Sequence, residues 1–377
     1  MKKFTKLVLA TSVAFSANAM AMQAMDDASL SETTGQDGIS IGIGISKIEI
    51  EKLFIHDNDG LASTATLAGF NYGRIPAVLD EDGNVTTPER PAGTVAATEL
   101  KGSGQAGAIV IQGNGTAGHK NEKHGVVIGA NYDDNFAYLL DSRNLADLTI
   151  DSDGSADGSN PFINIAAKVS GLDISIGKIG VTASGVKNVG TNQNTIRRGG
   201  GAVVKDILSG LEIKTGVMDA NIQLGSAPQG AMIKLNTKMV GGLEIKNLGI
   251  LDNSSVGKPV GVAGTTAVTT REAGEIFVES IKIADANTKD LSISQDISIY
   301  NDAYVGTTGN TLGKAAHIRI VSNDTGAKDQ YIQGIHLGSR TAASIGDMEV
   351  QGLQTYYGSP QFGSNYTKGA IITISGH

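Results

Sequence analysis

The sequence predicts an all-β fold, an elongated β-solenoid-like or coiled sheet of short repeated strands, with a β-sandwich as the alternative arrangement. Three observations lead there. Apolar residues recur with a period of two, first at Ile39, Ile41, Ile43 and Ile45 between Ser and Gly, which is the alternation of a strand with one buried face. That period is then interrupted in a repeated way. Apolar steps of two, three and two occur at Ile48-Ile50-Leu53-Ile55, Ile174-Ile176-Ile179-Val181, Leu243-Ile245-Leu248-Ile250 and Ile276-Val278-Ile281-Ile283, with a partial copy at Met348-Val350-Leu353. Residues three apart on a straight strand face opposite sides, so each step of three requires a bulge or a corner if one apolar face is to be kept. Finally, 50 glycines against seven prolines and no cysteine describe many tight turns held by backbone pairing and packing, without a disulfide framework. Strands joined at corners build a solenoid or coiled sheet, while bulged strands in a sandwich give a similar pattern.

Taken in order, residues 1–21 read as a cleavable export signal. Lys2, Lys3 and Lys6 precede a short apolar run from Leu7 to Phe15, and Ala19-Met20-Ala21 supplies the small-x-small site. The apolar run is shorter than the ~20 residues that cross a bilayer as a helix. Residues 22–38 form a short helical motif, with Asp26 and Asp27 near its start and Gly35 to stop it. Residues 39–377 are the repetitive all-β domain. A loop excursion around 71–107 carries Pro76, Pro88 and Pro91, and further turn-rich breaks fall at 151–161, 188–201 and 254–270. A second unit recurs at 108–111, 231–235, 316–320 and 370–374, which reads as internal duplication. Ile245 and Ile281 lie inside the interrupted pattern and are expected core residues, each costing about 2–5 kcal/mol on truncation to Ala.

The charge narrows the partners. Three lysines leave with the leader, taking the formal charge from −8 to about −11. That balance argues against nucleic acid or an anionic lipid surface as a partner. No tryptophan and 5% aromatic residues are sparse for a cleft that binds sugars or bases, and they also lack the girdles of a membrane barrel. No transmembrane helix is expected after the leader.

The motifs with chemical meaning are weak. Gly102-Gly104-Gly107 and Gly113-Gly115-Gly118 match a dinucleotide fingerprint, but the residues from His119 to His124 leave no room for the helix that such a site needs, so a glycine-rich loop between strands is expected. The six histidines show no metal-ligand spacing and are read as solvated or structural. Asp153, Ser155 and Asp157 before Gly158 match the first half of a calcium loop, but Asn164 stands where the closing carboxylate belongs, so calcium is not expected to be needed for folding. No catalytic, cofactor or metal site is assigned.

The stretch from Met22 to Ile39, MQAMDDASLSETTGQDGI, is distinctive. With Ser40 to Asp59 it resembles the start of the FilA family of exported gammaproteobacterial pilus-system proteins. The resemblance implies a role at the surface or in an appendage, and other pilus-system or envelope proteins, or copies of the chain itself, as partners. The expected function is a non-enzymatic structural or adhesive component of a surface filament. The alternatives are a polysaccharide-active solenoid enzyme and a periplasmic or outer-membrane accessory of a secretion system. Ile39, Ile41, Ile43 and Ile45 are the candidate strand-donation segment: they either complete their own sheet or add to the edge of a neighbouring subunit.

Overall fold

The computed structural model describes residues 38–376, except positions 75, 80, 82–84, 188, 190–193, 262–267, 302–303, 306–310, 313–315, 324–325 and 359–365. The export leader and the helical motif expected at 22–38, up to residue 37, lie outside the described residues.

The chain runs back and forth in eight passes, each lying beside the pass before it and the pass after it. Every pass contributes to two sheets, one of eight strands and one of eleven. The first pass enters the smaller sheet as Gly38–Ile43 and the larger as Lys47–Ile50 and Leu53–His56. The second returns as Gly107–Gln112 and Val126–Ala130, then Ala146–Asp153. The third is Phe162–Val169, Leu172–Ile176 and Lys178–Ser184, and the fourth Gly200–Lys214 and Met218–Gly225. The fifth is Ile233–Met239 and Leu243–Asp252, and the sixth Gly274–Asp285 and Leu291–Tyr300. The seventh is His317–Ser322 and Lys328–Gly338, and the eighth Ser344–Leu353 and Ala370–Ser375. Neighbouring passes pair antiparallel throughout. The all-β class is therefore as expected, and the repeated strands form a cornered antiparallel meander.

The register explains the apolar pattern. In the smaller sheet one isoleucine from every pass falls in a single transverse row: Ile39, Ile150, Ile165, Ile222, Ile233, Ile297, Ile320 and Ile372. A second row crosses the larger sheet as Ile48, Ile128, Ile174, Ile213, Ile245, Ile281, Ile332 and Met348. A third is Leu53, Ile111, Ile179, Leu208, Ile250, Ile276 and Leu337. β-Branched side chains hold one rotamer on a pleated surface and meet their cross-strand neighbours directly.

The step of three is the crossing from the second row to the third. The pleat is broken there. Gly210 (φ 122°), Asn247 (φ 57°) and Gly334 (φ 64°) adopt backbone that interrupts the two-residue alternation. At Gly177 a Cβ would strike the Gln112 carbonyl, so the chain ends at Ile176 in one strand and resumes at Lys178 in the next. A second line of breaks separates the two sheets, and buried polar residues seal it. Ser170 Oγ donates to the Asn144 carbonyl at 2.6 Å, Asn131 Nδ2 to the Thr215 carbonyl at 3.1 Å, and Thr215 Oγ1 accepts from Leu172 N at 2.9 Å.

The loop excursion is more ordered than the sequence suggests. Thr66–Leu67 pairs with Thr98–Glu99, Phe70–Tyr72 with Gly93–Val95, and Val78–Leu79 with Val85–Thr87, so the segment is one nested hairpin arm. The glycine-rich stretch at 113–118 does lie between strands.

Ile245 and Ile281 face each other across the second row, but they are half-buried rather than core. Among the described residues only eight apolar side chains are buried, including Val110, Met239, Phe277 and Leu291, against twelve polar or charged ones. Side chains of the first two rows shield one another along the row, and among the described residues no second layer buries them. The expected cost of Ile245→Ala or Ile281→Ala accordingly falls to about 1–2 kcal/mol, the loss of two cross-strand contacts. Denaturant melts of both single variants and the double variant should show less than additive loss. Costs above about 3 kcal/mol each would mean that a further layer covers the row.

Candidate interaction surface

Alternate residues of each strand carry the opposite chemistry. Beside the second aliphatic row runs a charged one: Lys47, Gly129, Asp173, Lys214, Glu244, Lys282, Tyr331 and Glu349. Its charged members alternate in sign in pass order, and from Asp173 to Lys282 opposite charges stand directly opposite one another, while Gly129 and Tyr331 interrupt the row near its ends. Lys214 Nζ lies 2.6 Å from Asp133 and 3.9 Å from Asp173, and Lys120 reaches Asp173 at 2.7 Å. Burial alone would lower the Lys214 pKa, but the Asp133 and Asp173 carboxylates outweigh it and hold the ammonium above its ordinary value. Lys246 and Lys282 both approach Glu244, at 3.2 and 3.8 Å. The pairs made by the exposed Lys120 and Lys282 contribute at most about 1 kcal/mol each. Their ordering favours one register over others. Adjacent residues on a strand face opposite sides, so the sheet is amphipathic.

The apolar rows are open at their ends. In the first two rows the interior members are half-buried, whereas Ile39 is 62% and Ile372 54% exposed; in the third row Ile250 and Ile276 are exposed as well. Ile39, Ile41 and Ile43 of the strand-donation candidate pair with Ile150, Leu148 and Ala146 of their own chain. The segment thus completes its own sheet, leaving its outer side without a partner among the described residues. Ile45 lies beyond the strand, in the bend toward Lys47.

Two clusters sit on the larger sheet. In the first, Glu275 accepts from Arg340 Nη2 and from Ser209 Oγ, each at 2.7 Å, and the guanidinium lies 4.8 Å from the Phe277 ring centre. Burial would raise the Glu275 pKa, but Arg340 and Ser209 more than offset it, so the carboxyl sits below its usual range. Nearby, His336 donates through Nδ1 to the Ala342 carbonyl at 2.6 Å and through Nε2 to Glu279 at 3.1 Å. Both acceptors favour the imidazolium and raise its pKa, the carbonyl most. In the second cluster a pocket of about 500 Å³ is lined by Phe54, His56, Val110, Thr182, Arg197 and Arg198. Phe54 and His56 stack with centroids 5.6 Å apart, and Arg198 donates to the Gly185 carbonyl and to Asn58, each at 2.7 Å. Burial, and then the Arg198 charge, push His56 below its ordinary pKa.

Asp153, Ser155 and Asp157 meet in one exposed turn. Asp157 accepts from the Ser155 hydroxyl and from the amide and hydroxyl of Ser159, while Asp153 accepts from Ser155 N. These bonds hold the Asp157 carboxyl below its usual range, the Ser155 hydroxyl contributing most. The turn's oxygens are thus engaged by local donors. Of the histidines, His317 is buried against Tyr300 at 5.2 Å, His119 and His124 approach Glu212 and Glu49, and His377 lies outside the described residues.

The charged row and the Arg-lined pocket were not read from the sequence. The row had a signal: its isoleucines are flanked by charge in Lys47-Ile48-Glu49, Glu212-Ile213-Lys214 and Glu244-Ile245-Lys246. The pocket had none, because its residues come from four separate stretches of chain.

Residues 1–89 are similar to a family of unknown function, DUF6160. No curated protein and no solved structure matches the chain. Among the described residues no helix is long and apolar enough to cross a membrane.

Two outcomes follow. The His336 titration followed by NMR should have a midpoint above that of a free imidazole, and Glu279→Gln should lower it. A group whose folded pKa is raised stabilises the fold below its unfolded pKa, and that contribution is lost as pH rises through the folded value. A midpoint at or below the free value would contradict the bridging role. Separately, adding calcium after chelation should leave the melting temperature unchanged. A large rise that Asp153→Ala with Asp157→Ala abolishes would make the turn a cation site.

Proposed function

We propose that this chain is a non-enzymatic structural or adhesive component of an exported surface filament. The observation that carries the reading is the open amphipathic sheet. Its first two aliphatic rows reach both outer strands exposed, a form that is a liability to an isolated protein and useful to one that joins others. The hairpin arm at 66–99 adds exposed Leu67, Phe70 and Val95, a surface suited to contact. The export leader and the resemblance to pilus-system proteins support the same reading. Its partners are then other filament or envelope proteins. Antibody against the mature protein should label extended appendages on intact cells, and cells lacking the protein should lose them or adhere less. Label that appears only after permeabilisation, or reproducible turnover of a polysaccharide by the purified protein, would overturn the proposal.

A further inference from the structure

We infer that copies of this chain join head to tail, the outer edge of the eighth pass of one copy pairing with the outer edge of the first pass of the next. The inference rests on the filament reading and names a second copy as the partner. Four observations support it. Among the described residues, Gly38–Ile43 and Lys47–Ile50 pair on one side only, as do Ala370–Ser375 and Ser344–Leu353. The passes alternate in direction and are eight in number, so the first and last run oppositely. A copy placed beyond the last pass therefore presents an antiparallel strand to both sheets at once.

The rows also match. Continuing the smaller sheet in its own register sets Ile372 (54% exposed) opposite Ile39 (62% exposed), and in the larger sheet Met348 (46%) meets Ile48 (36%). Both joints place an exposed row end against an exposed row end. Finally, the same register brings Glu349, the last residue of the charged row, opposite Lys47, its first. The alternation of charge then continues across the joint. A slip of one residue would turn the isoleucines onto the charged face.

Antiparallel pairing of two like edges about a two-fold axis would set the smaller sheet of one copy beside the larger sheet of the other, and parallel pairing about a two-fold axis along the strands would turn the aliphatic face of one copy to the charged side of the other. Head-to-tail addition keeps each sheet and each face against its own kind. Such a joint does not close on itself and yields an open filament, which the natural twist between strands makes helical. Backbone hydrogen bonds supply the affinity and the rows supply the register.

The test uses the mature chain and two charge reversals, Lys47→Glu and Glu349→Lys, each checked for folding by circular dichroism. Sedimentation velocity and negative-stain imaging should show the wild type forming concentration-dependent linear polymers. Each reversal alone should associate about tenfold more weakly or worse, since like charges then meet at the joint. An equimolar mixture of the two should polymerise again, because each edge then meets an opposite charge. The chain has no cysteine, so Ile39→Cys with Ile372→Cys on one chain should oxidise to a ladder of multimers, and Ile39→Cys alone should not. A wild type that stays monomeric at every concentration, polymers indifferent to both reversals, or a mixture that fails to recover would overturn the inference. Appendage labelling on cells together with a monomeric purified protein would overturn head-to-tail joining and leave the filament role standing.

Discussion

Everything in this fold depends on one aliphatic side chain from each pass standing in register with its neighbours. A meander of eight passes has no intrinsic reason to align, because backbone hydrogen bonds form equally well after a slip of two residues. The rows remove that freedom. Each cross-strand aliphatic pair contributes roughly 0.2–1 kcal/mol, so a row of eight isoleucines contributes about as much as a modest core. The same side chains set the register of every strand they cross. This is how the protein holds a sheet together with so few fully buried apolar residues.

The interior that would normally be apolar is instead partly polar, and it is concentrated where strands break. Asn121 is fully buried and donates to the carbonyls of Ser175 and His124. Ser170, Asn131 and Thr215 do the same work between the two sheets. A strand that ends leaves backbone groups unpaired, and a buried unpaired group is costly. Short polar side chains at the breaks satisfy them, which fixes where each sheet stops. The apolar rows determine alignment and the polar breaks determine length.

Much of this was legible in the sequence. The period of two at Ile39 to Ile43 and the steps at Ile174 to Val181 located strands and the corner at Gly177. Second-row and third-row residues such as Ile245 and Ile250, or Ile276 and Ile281, lie five apart, the trace of two rows crossed once per pass. Other features were not legible. The pairing of Ile39 with Ile150 spans more than a hundred residues, and nothing local encodes it. That Ile245 and Ile281 are half-buried depends on whether a second layer covers the sheet, which periodicity does not report. The nested hairpin at 66–99 has the sequence of a loop because its strands are only two or three residues long and prolines lie among them. The Arg197 and Arg198 pocket forms only when the passes that bring Phe54, Val110 and Thr182 are already side by side.

The central claim is that the passes lie side by side in sequence order across two open sheets, with a row of isoleucines across the smaller one. Distances between spin labels along that row test it most directly, with labelled chain diluted into unlabelled protein. Labels replacing Ile150 and Ile320 should be separated by five strand spacings, about 24 Å, and labels replacing Ile165 and Ile233 by two, about 10 Å. Distances that grow with the number of passes between the labels are the result the account predicts. A short distance between positions 150 and 320, as in a closed or stacked arrangement, or a distance that does not follow pass order, would contradict it.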